Sequence, residues 1–497
     1  MKTKLHILLS LLLLPALLPA QPGNEKRAYH WYFGHNAGLD FSSGTIQEDT
    51  QGQVFAFEGS ASISDTAGNL LFYAGPNGGT EPGENNMTVY NANHEVMQNG
   101  YDIDCGWDGR QNSIIVPLPE SDSIYYLLTI GHYCNQYTNQ LGLKLNIVDM
   151  SLDGGLGAVT DKNIEIYPSS YNDTLSEILT AVHHGNCRDV WVMIHRFNAD
   201  KFLAYKINEN GLDDEPVVNN IGYTGENCMG WGAKFSPNGK YFVVNKSYNI
   251  HQNGILKNDT LELYKFDNET GVLSDRIALP MDSALFGKEF SPDCHYLYTF
   301  EAHYYFLGLY QYDISKWQKP YILNSKTLVA SLFTIAPDLQ LTPLNNIIIS
   351  GDCDTISVIE QPNNQGTSCS VNTNVITLFN ESKTKMPNFI CSYFNDDTSA
   401  YNCDTSTYKK SFSSVNLSIY PNPVQNKAII NTNGKAITQF SLFDITGKKI
   451  DNNQYLLKKN SNGKYMFNNL KLKGGMYLLS GVFADKGQFN IKIIINN

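Results

Sequence analysis

The chain has 497 residues with 36 basic and 48 acidic side chains; 12% of its residues are aromatic, only 17% are charged, and it holds 39 Gly and 19 Pro, which suits many short strands joined by tight turns. The charge is unevenly divided: residues 21–414 carry 23 basic and 45 acidic groups, net −22, whereas residues 415–497 carry 11 Lys, no Arg and three acids (Asp444, Asp451, Asp485), net +8. So acidic a body excludes nucleic acid as a natural partner, because phosphate neutralisation needs clustered Lys and Arg.

At the N-terminus, Lys2 and Lys4 precede an apolar run from Leu5 to Leu18 that ends at Pro19-Ala20, before the polar Gln21-Pro22-Gly23. This is the order of a cleaved secretory signal over residues 1–20, with cleavage expected after Ala20. A membrane anchor needs about twenty apolar residues, and this run is shorter and lacks a basic stop-transfer flank. No later segment is apolar for long enough to span a bilayer. Nine cysteines in an exported chain predict disulfides, with at least one Cys left over. The pairs closest in sequence, Cys391 with Cys403 and Cys353 with Cys369, are the candidates. The other five cannot be paired from sequence, and the absence of any Cys-x-x-Cys argues against structural zinc or a thioredoxin-like redox pair.

From residue 60 onward a repeat emerges when turn residues are aligned: Ser64-Asp65-Thr66-Ala67-Gly68-Asn69, Ser236-Pro237-Asn238-Gly239 and Ser291-Pro292-Asp293-Cys294, each followed by an aromatic or alternating strand. Pro presets one turn dihedral, Asn or Asp bonds its own backbone, and Gly takes positive φ. Ala336-Pro337-Asp338-Leu339 aligns as a worn fourth copy. Strand patterns at Ser113 to Pro117, Tyr125 to Thr129, Leu143 to Val148, Val190 to His195 and Phe202 to Ile207 fit the same period, and Leu175 to Val182 is as consistent with a strand as with a short helix. A spacing near 50 residues predicts an all-β protein, a β-propeller of about seven blades over residues 21–400. A linker over 401–414 and a small immunoglobulin-like β-sandwich over 415–497 would follow.

Trp31 to Phe41, Glu58-Gly59-Ser60-Ala61-Ser62-Ile63-Ser64-Asp65, Asn93 to Gly100 and Met386-Pro387-Asn388-Phe389-Ile390 are similar to segments of exported bacterial propeller proteins that end in sorting or gliding-associated domains. The resemblance implies architecture and brings no catalytic residue. Ser60 stands where it implies a Cys, so it assigns no disulfide. Because a propeller must close its ring, the aromatic segments Phe33 to Phe41 and Phe389 to Phe394 are expected to complete one shared blade.

Enzyme signatures are missing. No nucleophile elbow, phosphate-binding loop or dinucleotide fingerprint is present, and His94-Glu95 lacks the second His of a zinc-protease helix. His183 and His184, with His195 on the next strand, are weak candidates for a metal; hydrogen-bonded structural histidines are the stronger expectation. Asp102, Asp104 and Asp108 resemble a calcium loop, but the third ligand would fall at Gly106, so calcium is the only cofactor left open. Asp-Ser/Thr-apolar triplets at Thr66, Ser123, Thr174, Thr260, Ser283 and Thr355 are similar to a bacterial O-glycosylation pattern. A glycoside hydrolase would need two carboxylates about 5 to 9.5 Å apart, and the sequence does not choose among its 45 body acids.

The C-terminal segment carries the strongest motif set: Tyr420-Pro421-Asn422-Pro423, then Gly447 after Asp444-Ile445-Thr446, then Gly475 and Tyr477, then Lys492 before three Ile. In this order it resembles the C-terminal sorting domain of the type nine secretion system of gram-negative bacteria. The resemblance implies an extracellular or outer-membrane-surface location, with the translocon and its sortase-like peptidase as partners. Three functions are then expected of the body. The leading one is a binding module for a glycan or envelope protein at the channel mouth; the others are a polysaccharide hydrolase or lyase using carboxylates with His184 or His195, and a structural part of the surface or motility apparatus.

Overall fold

The computed structural model describes residues 26–496 apart from 78–85, 107–108, 132–141, 169–173, 198, 223–231, 247–259, 282, 304–305, 333–335, 396–400, 402–417, 433–435, 446–447, 452, 460–463 and 484–487. The signal segment, Asp108, Cys403 and Gly447 therefore lie outside the described residues. Contacts divide the chain into two compact units, Met1–Cys403 and Asp404–Asn497.

The first unit contains seven antiparallel sheets among its described residues, each built from consecutive strands. They are β1–β3 (His30–Phe33, Ala37–Asp40, Gln47–Glu48), β4–β7 (Ala61–Ser64, Leu70–Pro76, Asn86–Asn91, Ile103–Asp104), β8–β11 (Ser113–Pro117, Ile124–Ile130, Leu143–Asp149, Ala158–Tyr167) and β12–β16 (Leu175–His183, Val190–Arg196, Lys201–Asn208, Gly211–Leu212, Val217–Asn220). There follow β17–β20 (Ala233–Phe235, Tyr241–Lys246, Thr260–Asp267, Val272–Pro280), β21–β24 (Ala284–Phe290, Tyr296–His303, Phe306–Asp313, Thr327–Leu332) and β25–β28 (Asp338–Leu341, Ile347–Ser350, Thr355–Ile359, Val371–Thr377). The first strands of the successive blades pack side by side: β4 against β1 and β8, β12 against β8 and β17, and β21 against β25. This is a β-propeller, in which radial repetition leaves only short sheet edges.

One hairpin turn recurs between the first and second strands of five blades. The N–H of Asp65, His184, Ser236, Ser291 and Thr342 donates to Asn69, Asp189, Tyr241, Tyr296 and Asn346 respectively. The residue three further on, Gly68, Cys187, Gly239, Cys294 or Asn345, takes positive φ and donates back. The fourth copy is therefore Thr342-Pro343-Leu344-Asn345 and not Ala336-Pro337-Asp338-Leu339, which leads into β25 instead. Thr342 Oγ1 bonds Asn346 at 2.6 Å, as Ser291 Oγ bonds Asp293 at 2.6 Å.

Ring closure also differs from expectation. Phe33 to Phe41 is not one strand but the β1–β2 hairpin, because Gly34 and Asn36 take φ of 55° and 63°. Phe389 to Phe394 joins no blade with it: Ile390 bridges Ala181 in β12, and residues 391–394 form a 3-10 turn. Trp31, two residues before the first segment, packs its ring on Phe389 with centroids 5.5 Å apart.

The second unit is a two-sheet β-sandwich. One sheet has the order β29-β30-β33-β32 (Ser418–Tyr420, Lys427–Asn431, Tyr465–Asn469, Tyr455–Lys459), the other β31-β34-β35 (Ile437–Asp444, Gly475–Phe483, Gln488–Ile495). Val424, Ile430, Leu442, Phe467, Leu479 and Ile493 form its own core.

Candidate functional site

A segment of the propeller's own chain is buried among its inner strands. Residues 382–395, the axial segment, are all buried and run parallel to β4 at Asn388 and to β12 at Ile390. The segment starts at the N-terminal ends of the inner strands, where Lys385 Nζ bonds Asp338 at 2.7 Å and the Asn388 N–H bonds the Ser60 carbonyl at 2.9 Å. The Asn388 amide donates to the carbonyls of Leu179 at 2.7 Å and Ser113 at 3.1 Å, so one side chain ties two blades. Ser392 lies beside His183, the last residue of β12, with Oγ 2.7 Å from Nδ1, and Tyr401 donates to the Pro237 carbonyl in the β17–β18 turn at 3.0 Å.

Charges around this axial segment are paired. Arg110 reaches Glu58 at 3.2 Å and Glu177 at 3.9 Å, with both carboxylates about 5% exposed. Lys234 Nζ bonds Glu289 at 2.8 Å and Gln340 at 2.5 Å, crossing three blades. Burial works against the Lys234 ammonium, but Glu289 outweighs it and holds the group above its ordinary range. Burial drives Lys288 the other way, well below a usual lysine, reinforced by Lys385. Stripping two charges of water costs several kcal/mol per ion, which only close partners offset. The arrangement clamps the ring, and these carboxylates are committed to it.

The mouth where the axial segment begins is different. Residues 51–58 alternate strictly, with Val54, Ala56 and Glu58 buried and Gln53, Phe55 and Phe57 exposed. Phe55 is held on both sides, its N–H bonding Pro76 while the Ala56 N–H bonds Gly34. The His35 ring stacks on Phe55 at 3.9 Å and faces Glu381 at 3.4 Å. Burial and then Lys383 keep that imidazole below its ordinary pKa. Lys383 pairs with Glu381 at 2.6 Å and Asp352 at 3.0 Å and hangs over the Phe57 ring. Phe379, its N–H on Glu48, is 84% exposed; Phe55 and Phe57 are 42% and 38% exposed. Sequence reasoning missed this rim, although the alternation at 51–58 was visible.

The predicted histidines do not converge. His183 pairs with Val190, whereas His195 lies five residues along β13, beside Ser176 at 3.3 Å. At about 3.3 Å per residue the two are held well apart. His184 is a turn residue: its Nδ1 accepts the Asn186 N–H at 3.0 Å, as Asp65 Oδ1 accepts that of Ala67 at 2.8 Å. Among the described residues no group of three or more His, Cys, Asp or Glu could hold a metal ion. Of the proposed calcium loop, Asp102 and Asp104 are described; the Asp104 N–H bonds Asn163 and the Asp102 carbonyl accepts from the same side chain. Both cysteine pairings are corrected, since Cys353, Cys369 and Cys391 are thiols, not half-cystines. Cys353 precedes the five-residue β27 and Cys369 pairs with Gln361 beyond its far end, a separation outside the 7 Å disulfide reach. Cys391 instead packs on Thr180. Ser60, where a Cys was implied, is fully buried and donates to the Tyr32 carbonyl. Of the six glycosylation-like positions, Thr66 is exposed, while Thr174 and Ser283 are buried.

In the second unit the sequence motifs meet. Asn422 Nδ2 donates to the Lys492 carbonyl at 3.1 Å and its Oδ1 accepts the Ile494 N–H at 2.8 Å, so the first and last motifs clasp each other. Gly475 opens β34, and Tyr477 bonds the Lys473 carbonyl at 3.0 Å. Tyr420, flanking Pro421 and Pro423, is 79% exposed. Residues 418–496 match the family described as the secretion system C-terminal sorting domain. The tail is a type nine secretion sorting domain. It directs the chain to the cell surface or extracellular space by way of that secretion machinery. Among the described residues no helix is long and apolar enough to cross a membrane.

No curated protein matches the sequence. Among solved structures, a candidate 6-phosphogluconolactonase from Bacteroides uniformis is 11% identical with a TM-score of 0.46, covering 71% of this chain and 98% of that one. A protein from Lactobacillus plantarum is 14% identical with a TM-score of 0.42, covering 72% and 99%. The Dos1 propeller is 11% identical with a TM-score of 0.39, covering 88% of each chain. At such identities a likeness concerns the fold alone.

Proposed function

We propose that the exported propeller is a binding module whose ligand face is the mouth formed by Phe55, Phe57, Phe379 and their polar neighbours. The observation that carries this reading is the burial and pairing of the carboxylates beside the axial segment. A propeller hydrolase would need accessible, correctly spaced carboxylates, whereas Glu58, Glu177, Glu289 and Asp338 are buried and bonded to Arg110, Lys234 and Lys385. His184 and His195, the other groups considered for catalysis, serve a turn and a blade interior. Exposed aromatic rings at the mouth suit binding, because such rings contribute large apolar contact with little entropy loss.

Delivery precedes binding in this reading: the sorting domain engages the translocon, and a sortase-like peptidase then removes it. Removal of residues 415–497 is expected to leave the body in the periplasm, and normal surface delivery of that truncation would overturn the export step. The binding role is tested by a glycan and peptide screen of the purified chain, with turnover assayed on every hit. Consumption of a bound ligand would establish the hydrolase or lyase instead; co-purification with envelope components and no soluble ligand would favour a structural part.

A further inference from the structure

We propose that Cys187 and Cys403 form a disulfide that fastens the exit of the axial segment to the β12–β13 turn. Cys187 is a half-cystine, whereas Cys105, Cys294, Cys353, Cys369 and Cys391 are thiols. Of the nine cysteines, Cys134, Cys228 and Cys403 are left as its partner, and all three lie outside the described residues. The described residues on either side of each one decide among them.

The chain leads Cys403 to the turn. Cys187 stands in the turn after β12, its N–H on the His184 carbonyl at 2.9 Å. Tyr401 is buried at that same end of the strand: a Cβ added to Gly239 would lie 2.9 Å from the Tyr401 hydroxyl and 3.4 Å from Val182, the last residue but one of β12. Ser392 of the axial segment, which accepts the His183 N–H at 2.9 Å, also bonds that hydroxyl. Cys403 follows two residues later and ends the first compact unit, so covalent geometry keeps its Cα within about 7 Å of that of Tyr401.

The other two lead away from it. The β8–β9 and β12–β13 turns lie at one end of their blades, where Arg188, next to Cys187, reaches Glu120 at 3.5 Å. Cys134 comes three residues after Gly131, past the far end of β9, whose seven residues carry the chain roughly 20 Å from that turn. Three residues extend back at most about 11 Å, which leaves a gap wider than the roughly 7 Å reach of a disulfide. Cys228 falls between Ile221, whose N–H bonds the Asp200 carbonyl at the β13–β14 end of its blade, and Ala233, held on Gln111 at the start of β17. Since β17 runs from Ala233 toward its own turn, the chain before it enters from the opposite end and would have to double back along the strand.

Export supplies the chemistry, so the bond rests on the export step and not on the ligand face. The two thiols lose two protons and two electrons to an oxidising disulfide of the compartment beyond the inner membrane, which becomes a dithiol. The new S–S bond closes a covalent loop over β13 to β28 and the axial segment. Residue 403 precedes 415, so the bond stays with the body when the sorting domain is removed. A loop of that length restricts the unfolded chain strongly.

The test is a peptide map of the full chain exported to an oxidising periplasm, alkylated at its free thiols under denaturing conditions and digested with trypsin without reduction. Mass spectrometry should find peptide 163–188 joined to peptide 386–409, with the link on Cys403 and the alkyl label on Cys391. Cys403→Ser should open Cys187 to alkylation and lower the melting temperature by about 5 °C or more. Cys187→Ser should lower it equally, and the double variant should lose no more than either single one. A Cys187 peptide joined to Cys134 or Cys228, or alkylated throughout the exported parent chain, would overturn the pairing. A linked parent whose Cys403→Ser variant melts unchanged would defeat the fastening role. Should a variant fail to fold, the map of the parent chain alone decides the pairing.

Discussion

The blade hairpins and the axial segment solve opposite problems. A hairpin repeats: five copies of one turn perform the same local task with Asp, His, Ser or Thr in the first position. The bonds that close each copy lie within its own residues, so chemistry can drift from copy to copy. The axial segment occurs once. Between Ser382 and Asn395 it touches the inner strands or strand ends of β4, β8, β12 and β25, beside the Arg110 and Lys234 pairs that also cross between blades. Local redundancy therefore makes the blades tolerant, while contacts between distant blades concentrate in the fourteen buried residues 382–395.

Substitutions in the axial segment should accordingly cost more than substitutions in a turn. The largest effect is expected for Lys385→Met, which strands Asp338 without its cation at 3% exposure; about 3–5 kcal/mol should be lost in denaturant unfolding. Pairing it with Asp338→Leu should restore much of the loss, because two apolar groups leave no buried charge. Asn388→Ala comes next. It orphans the Ser113 and Leu179 carbonyls and should cost about 2–3 kcal/mol by the same measurement. A loss under about 1 kcal/mol for either single variant would remove the distinction between segment and turn.

The same contrast explains what could be read in advance. Turn chemistry is local, so Ser236-Pro237-Asn238-Gly239 announced a hairpin and its spacing announced blades. The His184 turn was hidden because an imidazole took the acceptor role that an Asp or Ser plays elsewhere, and Gly185 stands where Pro237, Pro292 and Pro343 mark other copies. Thr342 was displaced by a stronger Ala-Pro-Asp match six residues earlier. The axial segment had no period to detect: Asn388 finds its partners 209 and 275 residues away, and nothing in Met386-Pro387-Asn388 specifies them. The sorting domain was legible for a related reason, since Asn422 and Lys492 sit in short motifs whose order is itself the signal. The mouth was overlooked because exposed Phe in an alternating run resembles any edge strand.

Ser236→Ala sharpens the comparison from the turn side. Its hydroxyl accepts the Tyr241 N–H at 2.9 Å and donates to Asn238 at 2.7 Å, so the variant should lose about 1 kcal/mol, within a blade otherwise intact. A loss as large as that of Lys385→Met would mean that the hairpins, too, act on the whole ring.

The smallest expected effect is a pH dependence at Asp65. Partial burial would raise its carboxyl pKa, but bonds from Asn69, Ala67 and Gly68 prevail and hold it below the usual carboxylate range. A folded-state value below the unfolded one means that the carboxylate stabilises the turn above the unfolded pKa, about 4, and loses that contribution as pH falls through the lower folded value. Asp65→Asn keeps an acceptor for the Ala67 N–H without the charge. Its destabilisation relative to the parent should therefore be present near neutral pH and shrink on acidification, as followed by thermal melts at descending pH. A deficit that grows with acidification would reverse the sign, placing the turn's strength in the neutral side chain and not in the ionised one.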